Sequence, residues 1–275
     1  MDDYRLFVGI LFFIFGLSIG SFLNVLIYRH GGGVITGRSK CFSCGRTLTP
    51  RMLVPLLSYI FQAGRCAHCR AKISPQYPLV ELTTGLLFIF LAMKYHISIF
   101  SWDTHNTILL VLDGIIGCIL ILITVYDLRH KIIPDRWSLA LGLISLLRLL
   151  VTLSWAGWTT HLYLPIFDAV PSWIDLAAGP FLALPFALLW YFSGGRSMGL
   201  GDAKLAWGIG WFLGFAGGIT AVILGFWIAF FPSLLLLLSR AKHYTMKSEL
   251  PFAPFLVMGA TVTYIFGVDI ISWTF

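Results

Sequence analysis

Apolar residues fill stretches of about 20 positions along most of the chain, and polar residues gather between them. Such runs lie at roughly 5–28, 79–99, 106–126, 134–154, 173–193, 200–217, 219–238 and 254–273. As α-helix, each is long enough to cross a hydrocarbon core of ~30 Å. The pattern predicts an all-α polytopic membrane protein with about eight transmembrane helices. Gly214, Gly217 and Gly218 fall where the sixth run must stop and the seventh begin, and one long bent hairpin is the other arrangement allowed there. The first run is too long for a secretory signal and has no small-residue cleavage site, so it reads as a retained helix.

The polar segments set the orientation, because cytoplasmic loops keep an excess of Lys and Arg. Between Tyr28 and Pro78 there are eight cationic residues and no Asp or Glu, which makes this loop cytoplasmic. Following the crossings from there puts Arg129, Lys131, Arg136, Arg196, Lys204, Arg240, Lys242 and Lys247 on the same side. Of nineteen cations only Arg5, Lys94 and Arg148 fall elsewhere, and the Trp-rich connection from Ser154 to Ser172 has none. Both termini then face away from the cytosol. Charged residues make up 11% of the 275 positions and hydrophobic ones 58%, with mean hydropathy +0.87, far from the roughly 25% charged of a soluble domain. The net charge of +7 follows from the loop asymmetry and suits anionic headgroups. No basic face is interleaved with aromatics, so membrane lipids and not nucleic acid are the expected surface. The chain shows no fixed-period repeat, low-complexity tract or soluble domain.

The cytoplasmic loop contains Cys41-Phe42-Ser43-Cys44 and Cys66-Ala67-His68-Cys69, two C-x2-C pairs with twenty-one residues between them. That spacing fits a four-thiolate zinc site in which each pair forms a knuckle. Disulfides are the alternative, disfavoured in a reducing cytosol. Four thiolates leave no open position for water, so the site is structural and holds a loop with too little apolar mass for its own core. His68 either faces solvent or replaces one thiolate, and Cys118 packs as a small hydrophobe.

Ionisable residues inside membrane segments are costly and by default functional. Asp127 ends the third predicted helix and Asp202 follows Gly199-Leu200-Gly201 at the start of the sixth, both at the same predicted edge. Two carboxyls sharing a low-dielectric site cannot both ionise. One then serves as general base on water and the other protonates the scissile carbonyl, as in aspartic proteases. For Asp127 an interfacial cap or a partner for Arg129 is the plainer role. Asp135 follows Pro134 and reads as a helix cap. Asp113 and Glu81 read as buried polar partners for neighbouring helices, Asp175 and Asp269 as interfacial, and Lys204 as snorkelling to headgroups.

Gly20-Ser21-Phe22-Leu23-Asn24-Val25 with Tyr28-Arg29, Ser39 through Cys44, Pro55-Leu56-Leu57-Ser58-Tyr59, Gly64 through Cys69, Tyr77-Pro78-Leu79-Val80-Glu81, Asp127 with Ile133-Pro134-Asp135, and Gly199 through Lys204 together resemble the type IV prepilin leader peptidases, the bifunctional prepilin peptidase/N-methyltransferases of bacteria. The resemblance covers nearly the whole chain. It implies cleavage after a glycine of the basic leader of type IV prepilins or type II secretion pseudopilins, followed by methylation of the new N-terminal residue with S-adenosylmethionine. It also implies residence in the bacterial inner membrane, with Asp127 and Asp202 as the catalytic pair at the cytoplasmic face. Val54-Pro55 stands where the family commonly has Asn-Ile-Pro, and the external loop is long.

The methyltransferase half rests on the resemblance alone. No soluble α/β domain with a Gly-rich nucleotide loop is present, and Gly31-Gly32-Gly33 reads as a flexible connection. The expected division is residues 1–78, first helix and zinc loop, for methyl transfer near Asn24, Arg29 and Glu81, and residues 79–275 for the aspartic peptidase core. A peptidase without methyltransferase activity, a proton- or metal-coupled transporter, and a structural assembly platform are the competing readings. The transporter fits poorly with two aspartates at one face and no internal repeat.

Overall fold

A computed structural model describes residues 2–30, 37–97, 103–156, 173–196, 198–238, 251–268 and 270. The Gly31–Gly33 connection, residues 157–172 of the Trp-rich connection, Asp269, and Arg240, Lys242 and Lys247 lie outside these residues. The described chain is helical: α1 Asp2–Arg29, α2 Leu57–Phe61, α3 Gln76–Lys94, α4 Thr104–His130, α5 Asp135–Ala156, α6 Trp173–Ser193, α7 Leu200–Leu238 and α8 Ala253–Phe266, with a short 3-10 turn at Pro50–Met52. Six of these helices are long and apolar enough to cross a membrane, and α8 is a shorter apolar helix. The chain divides into two compact units, Met1–Leu122 and Ile123–Phe275.

In the first unit α1 packs on α3 through small residues. A Cβ on Gly16 would lie 2.8 Å from the Thr84 carbonyl oxygen, and one on Gly20 would lie 2.7 Å from Glu81 Cα. This is the small-xxx-small approach by which membrane helices gain dispersion contact without a hydrophobic driving force. The predicted second run reaches 99, but α3 stops at Lys94, after which His96 takes a left-handed conformation at φ 47°. Apolarity marks a span better than it marks the end of one. Buried Asp113 of α4 accepts a hydrogen bond from the Tyr95 hydroxyl, the helix-bridging role expected of it.

The second unit is organised around α7. Gly214 sits at φ 75°, ψ −175° and breaks this helix. A Cβ on Gly218 would lie 3.3 Å from Gly210 Cα, although residues eight apart on a straight helix are about 12 Å apart. The helix is therefore a hairpin of two arms turning at Gly214, the bent arrangement that the sequence also allowed there, and it counts as one of the six long apolar helices. The separation comes at the one glycine of α7 with positive φ, earlier than Gly217 and Gly218. On the first arm, a Cβ at Gly208 would meet Leu141 of α5 and one at Gly210 would meet the Ala178 carbonyl of α6. On the second arm, Gly218 faces Leu182 of α6, and Gly225 faces Leu256 of α8.

The break leaves backbone groups without helical partners, and charged side chains supply them. The Phe215 N–H donates to Asp175 Oδ1 at 2.7 Å, and Arg148 Nη1 donates to the Phe212 carbonyl at 3.2 Å. The anion thus caps an amide end and the cation a carbonyl end, matching both helix dipoles. Asp175, expected to be interfacial, is instead a cap within the helix packing. Pro180 cannot donate to the Leu176 carbonyl, and the Trp211 indole N–H does so at 2.9 Å.

Candidate active site and metal centre

Asp127 lies three residues before the end of α4 and is 5% exposed. Its Oδ2 is buried and accepts no hydrogen bond from the described residues, while the backbone N–H of Ala253, the first residue of α8, faces the carboxylate. Lys131, at φ 54°, closes α4 by donating its N–H to the Asp127 carbonyl at 2.8 Å, a left-handed cap.

Asp202 sits in the first turn of α7, half-buried. Its N–H donates to the Gly199 carbonyl at 3.2 Å, and the Gly199 amide faces its carboxylate. The carboxylates of Asp127 and Asp202 are close enough for their charges to interact. The fold therefore brings together the two aspartates singled out in the sequence, 75 positions apart.

Two contacts hold the segments that carry them. A Cβ on Gly201 would lie 3.0 Å from Ile133 Cβ, so the start of α7 rests against the turn between α4 and α5. At Gly199 the nearest atom to such a Cβ is Asp202 Oδ2 at 3.7 Å, ordinary contact distance. Of the two glycines in the motif, Gly201 is the sterically required one. Lys204 Nζ lies 2.6 Å from Asp135 Oδ1. Lys204 thus pairs with the N-terminal turn of α5 and is not merely snorkelling, and Asp135 opens α5 as expected with an added cation partner.

The tetracysteine loop belongs to the first unit. The sulfurs of Cys41, Cys44, Cys66 and Cys69 all lie within 4.8 Å of one another, with Cys41 and Cys69 3.8 Å apart. A tetrahedron with metal–sulfur bonds of ~2.3 Å has edges of about 3.8 Å, so the four sulfurs fit one metal ion. The backbone N–H groups of Cys44 and Ser43 hold the Cys41 thiol down to about 6, and those of Cys69 and His68 hold Cys66 below the usual thiol range. Thiolate is the ligating form. His68 Nδ1 accepts from Arg46 Nη1 at 2.8 Å, so this nitrogen is occupied, and the four cysteine sulfurs are the grouped candidate ligands.

The loop backbone repeats with an offset of 25 residues that the sequence conceals. Cys41 N–H donates to the Arg46 carbonyl as Cys66 N–H does to that of Ala71, and Leu48 pairs with Ser39 as Ile73 does with Gly64. Single antiparallel bridges, Lys40 with Thr47 and Arg65 with Lys72, close the two knuckles. Gly45 occupies the left-handed position of the first knuckle at φ 68°, and Arg70 the same position of the second at φ 59°.

Of the residues expected near methyl transfer, Asn24 is 2% and Glu81 7% exposed. Asn24 Nδ2 donates to the Tyr77 carbonyl at 3.1 Å, and Glu81 Oε2 accepts from the Leu56 N–H at 2.8 Å. Leu56 is itself held at φ 58°, which nothing in its sequence announces. Arg29, in the last turn of α1, donates to the Gly37 carbonyl at 3.0 Å. Asn24 thus ties α1 to the start of α3, and Glu81 ties α3 to the start of α2; Arg29 lies beyond Asn24 along α1.

Residues 14–95 match the bacterial peptidase A24 N-terminal domain, and residues 114–238 match the type IV leader peptidase family. Over 96% of its length the chain is 30% identical to the prepilin leader peptidase/N-methyltransferase of Aeromonas salmonicida (strain A449), covering 92% of that protein. It is 32% identical to the Bacillus subtilis (strain 168) protein of the same name, over 95% of each chain. The chain belongs to the type IV leader peptidase family. The Pseudomonas aeruginosa protein of that name is 27% identical over 92% of this chain and 88% of its own. No solved structure matches. Family membership and the apolar helices make this a multi-pass membrane protein. The matched peptidase segment contains both Asp127 and Asp202, and the matched N-terminal domain contains all four loop cysteines.

Proposed function

We propose that the protein removes the basic leader of type IV prepilins or type II secretion pseudopilins and then methylates the new N-terminal residue. Membership of the family along nearly the whole chain carries this reading. Asp127 and Asp202 are the catalytic pair. One carboxylate takes a proton from water, the water oxygen attacks the carbonyl carbon of the leader's last glycine, and the other carboxyl donates its proton to the carbonyl oxygen. Collapse of the tetrahedral species breaks the C–N bond, and the amine leaves with a proton returned from the pair.

The reaction takes place at the cytoplasmic face of the bacterial inner membrane. Basic loops put that face on the side where a cationic leader is found, while the substrate's apolar segment stays among lipids. The four thiolates bind zinc and fold the loop. Methyl transfer belongs to the N-terminal part around Asn24, Arg29 and Glu81. S-adenosylmethionine supplies an electrophilic methyl group to the exposed amine. Asn24 and Glu81 act there by shaping the framework, since Asn24 Nδ2 bonds the Tyr77 carbonyl and Glu81 Oε2 the Leu56 N–H.

The test is incubation of membranes containing the protein with a prepilin and S-adenosylmethionine, followed by the N-terminal mass of the product. Native protein should give a shortened, methylated chain, and Asp127→Asn and Asp202→Asn should give neither change. Near-normal cleavage by either variant removes the dyad assignment. Methylation of already cleaved pilin by Asp127→Asn separates the two activities, and its loss would place both in one site.

A further inference from the structure

An apolar groove runs between α6 and the second arm of α7, lined by Phe181, Pro185 and Leu189 on one wall and Ile219, Val222 and Phe226 on the other. Phe181, Leu189 and Phe226 are each about half exposed, at 49%, 51% and 47%, so the groove is open along its length. From Phe181 to Leu189 it follows about two helical turns.

One end of the groove leads to the aspartates. The Phe186 and Phe226 rings pack on Phe252, with centroids 6.3 and 4.9 Å away. Phe252 precedes Ala253, whose N–H faces the Asp127 carboxylate. The opposite end, at Leu182 and Ile219, adjoins Gly218 near the hairpin turn. An apolar helix in the groove would thus run along the membrane-crossing direction of α6, with one terminus beside the dyad.

We infer that this groove seats the first apolar turns of the prepilin, directly after the scissile bond, and so sets the bond against Asp127 and Asp202. This rests on the peptidase reading above. The substrate's cleaved bond lies where a cationic leader meets a membrane helix, so its apolar turns must lie within a few residues of the dyad. An apolar wall continuous with Phe252 meets that requirement. In hydrocarbon such seating is driven by close packing and not by water exclusion, so shape determines recognition. The groove selects for a helix after the bond, and the leader's sequence is read elsewhere.

The experiment compares the full-length native protein in lipid nanodiscs with Val222→Trp, which fills the groove. Each acts on a prepilin with its apolar segment and on a short peptide holding only the leader, the bond and the next few residues. Native protein should prefer the full prepilin in kcat/KM by about tenfold or more, from a few packing contacts, and Val222→Trp should erase that preference. If the variant keeps the preference, the groove does not seat the substrate. Should the variant fail to fold, a photo-crosslinker at Leu189 in the Asp127→Asn protein decides. Adducts with the first apolar turns of uncleaved prepilin support the inference, and adducts with lipid alone overturn it. A native protein that cleaves neither substrate refutes the peptidase reading itself, a different result from cleavage without preference.

Discussion

Gly201→Ala tests whether the contact between the two aspartate motifs is what places the dyad. The added methyl would lie 3.0 Å from Ile133 Cβ and 3.3 Å from its Cγ1 and Cδ1, against an optimal carbon–carbon separation of about 3.5–4.0 Å. Something must shift by half an ångström or so, and the choice is narrow. Ile133 is 8% exposed, and Asp202 is the next residue. Overpacking costs ~1–3 kcal/mol, but Ala is favoured over Gly in a helix by about 1 kcal/mol, so net stability falls by roughly 0–2 kcal/mol. Activity should fall further. A 1 Å misplacement of reacting groups can cost ~100-fold, so half that displacement implies a loss of about tenfold in kcat for leader cleavage, with KM little changed. Adding Ile133→Ala removes Cγ1 and Cδ1 and leaves only the contact with Cβ, so the double variant should recover part of the lost kcat. Cleavage within about twofold of native by Gly201→Ala, or a double variant no better than independent effects would give, would refute this placement of the dyad.

Replacing Cys41 and Cys44, or Cys66 and Cys69, with Ser should remove about one equivalent of zinc, read by metal analysis of purified protein. A strong chelator should likewise raise amide exchange through residues 39–73 while leaving the second unit's helices protected. Arg70→Gly should stabilise the loop by roughly 1 kcal/mol, because a non-glycine residue in the left-handed region is strained, and Gly45→Ala should cost about as much; zinc affinity measured by competition checks both signs. Asp175→Ala should destabilise the α7 hairpin by about 1–2 kcal/mol, with Asp175→Asn milder since it keeps an acceptor for Phe215; unfolding in mixed micelles measures both. Equal unfolding of both Asp175 variants and native protein would leave the break at Gly214 without its electrostatic cap.

How much of this was legible in the sequence depends on the kind of information each feature needs. The helices were legible because a membrane demands long apolar runs, and the two aspartates because charges there are scarce. The paired cysteine knuckles were legible from four cysteines, but their repetition was not. Gly45 corresponds to Arg70 and Arg46 to Ala71, so only the backbone is shared, held by hydrogen bonds that any residue can make. Gly201 stood out as a motif residue, yet its reason, the Ile133 side chain, lies 68 positions away. The left-handed Leu56 had no signal at all, since its N–H is held by Glu81 from another helix.

Single polar residues were harder still, and for one physical reason. In hydrocarbon each must find a partner, and a one-dimensional reading sends it to the nearest interface when the partner is not nearby in sequence. Lys204, Asp175 and Arg148 went to headgroups, to the outer face or to no role on that basis. The fold instead uses Lys204 and Asp135 to fasten the start of α7 to α5, and Asp175 and Arg148 to satisfy the backbone freed at Gly214. Both pairs act on α7, the helix that carries Asp202. A broken helix in a membrane is stable only where its loose ends are capped, so the hairpin and its charged neighbours must be kept or lost together. If so, variants at Arg148 or Asp175 should lower leader cleavage through the position of Asp202, without either residue touching the substrate.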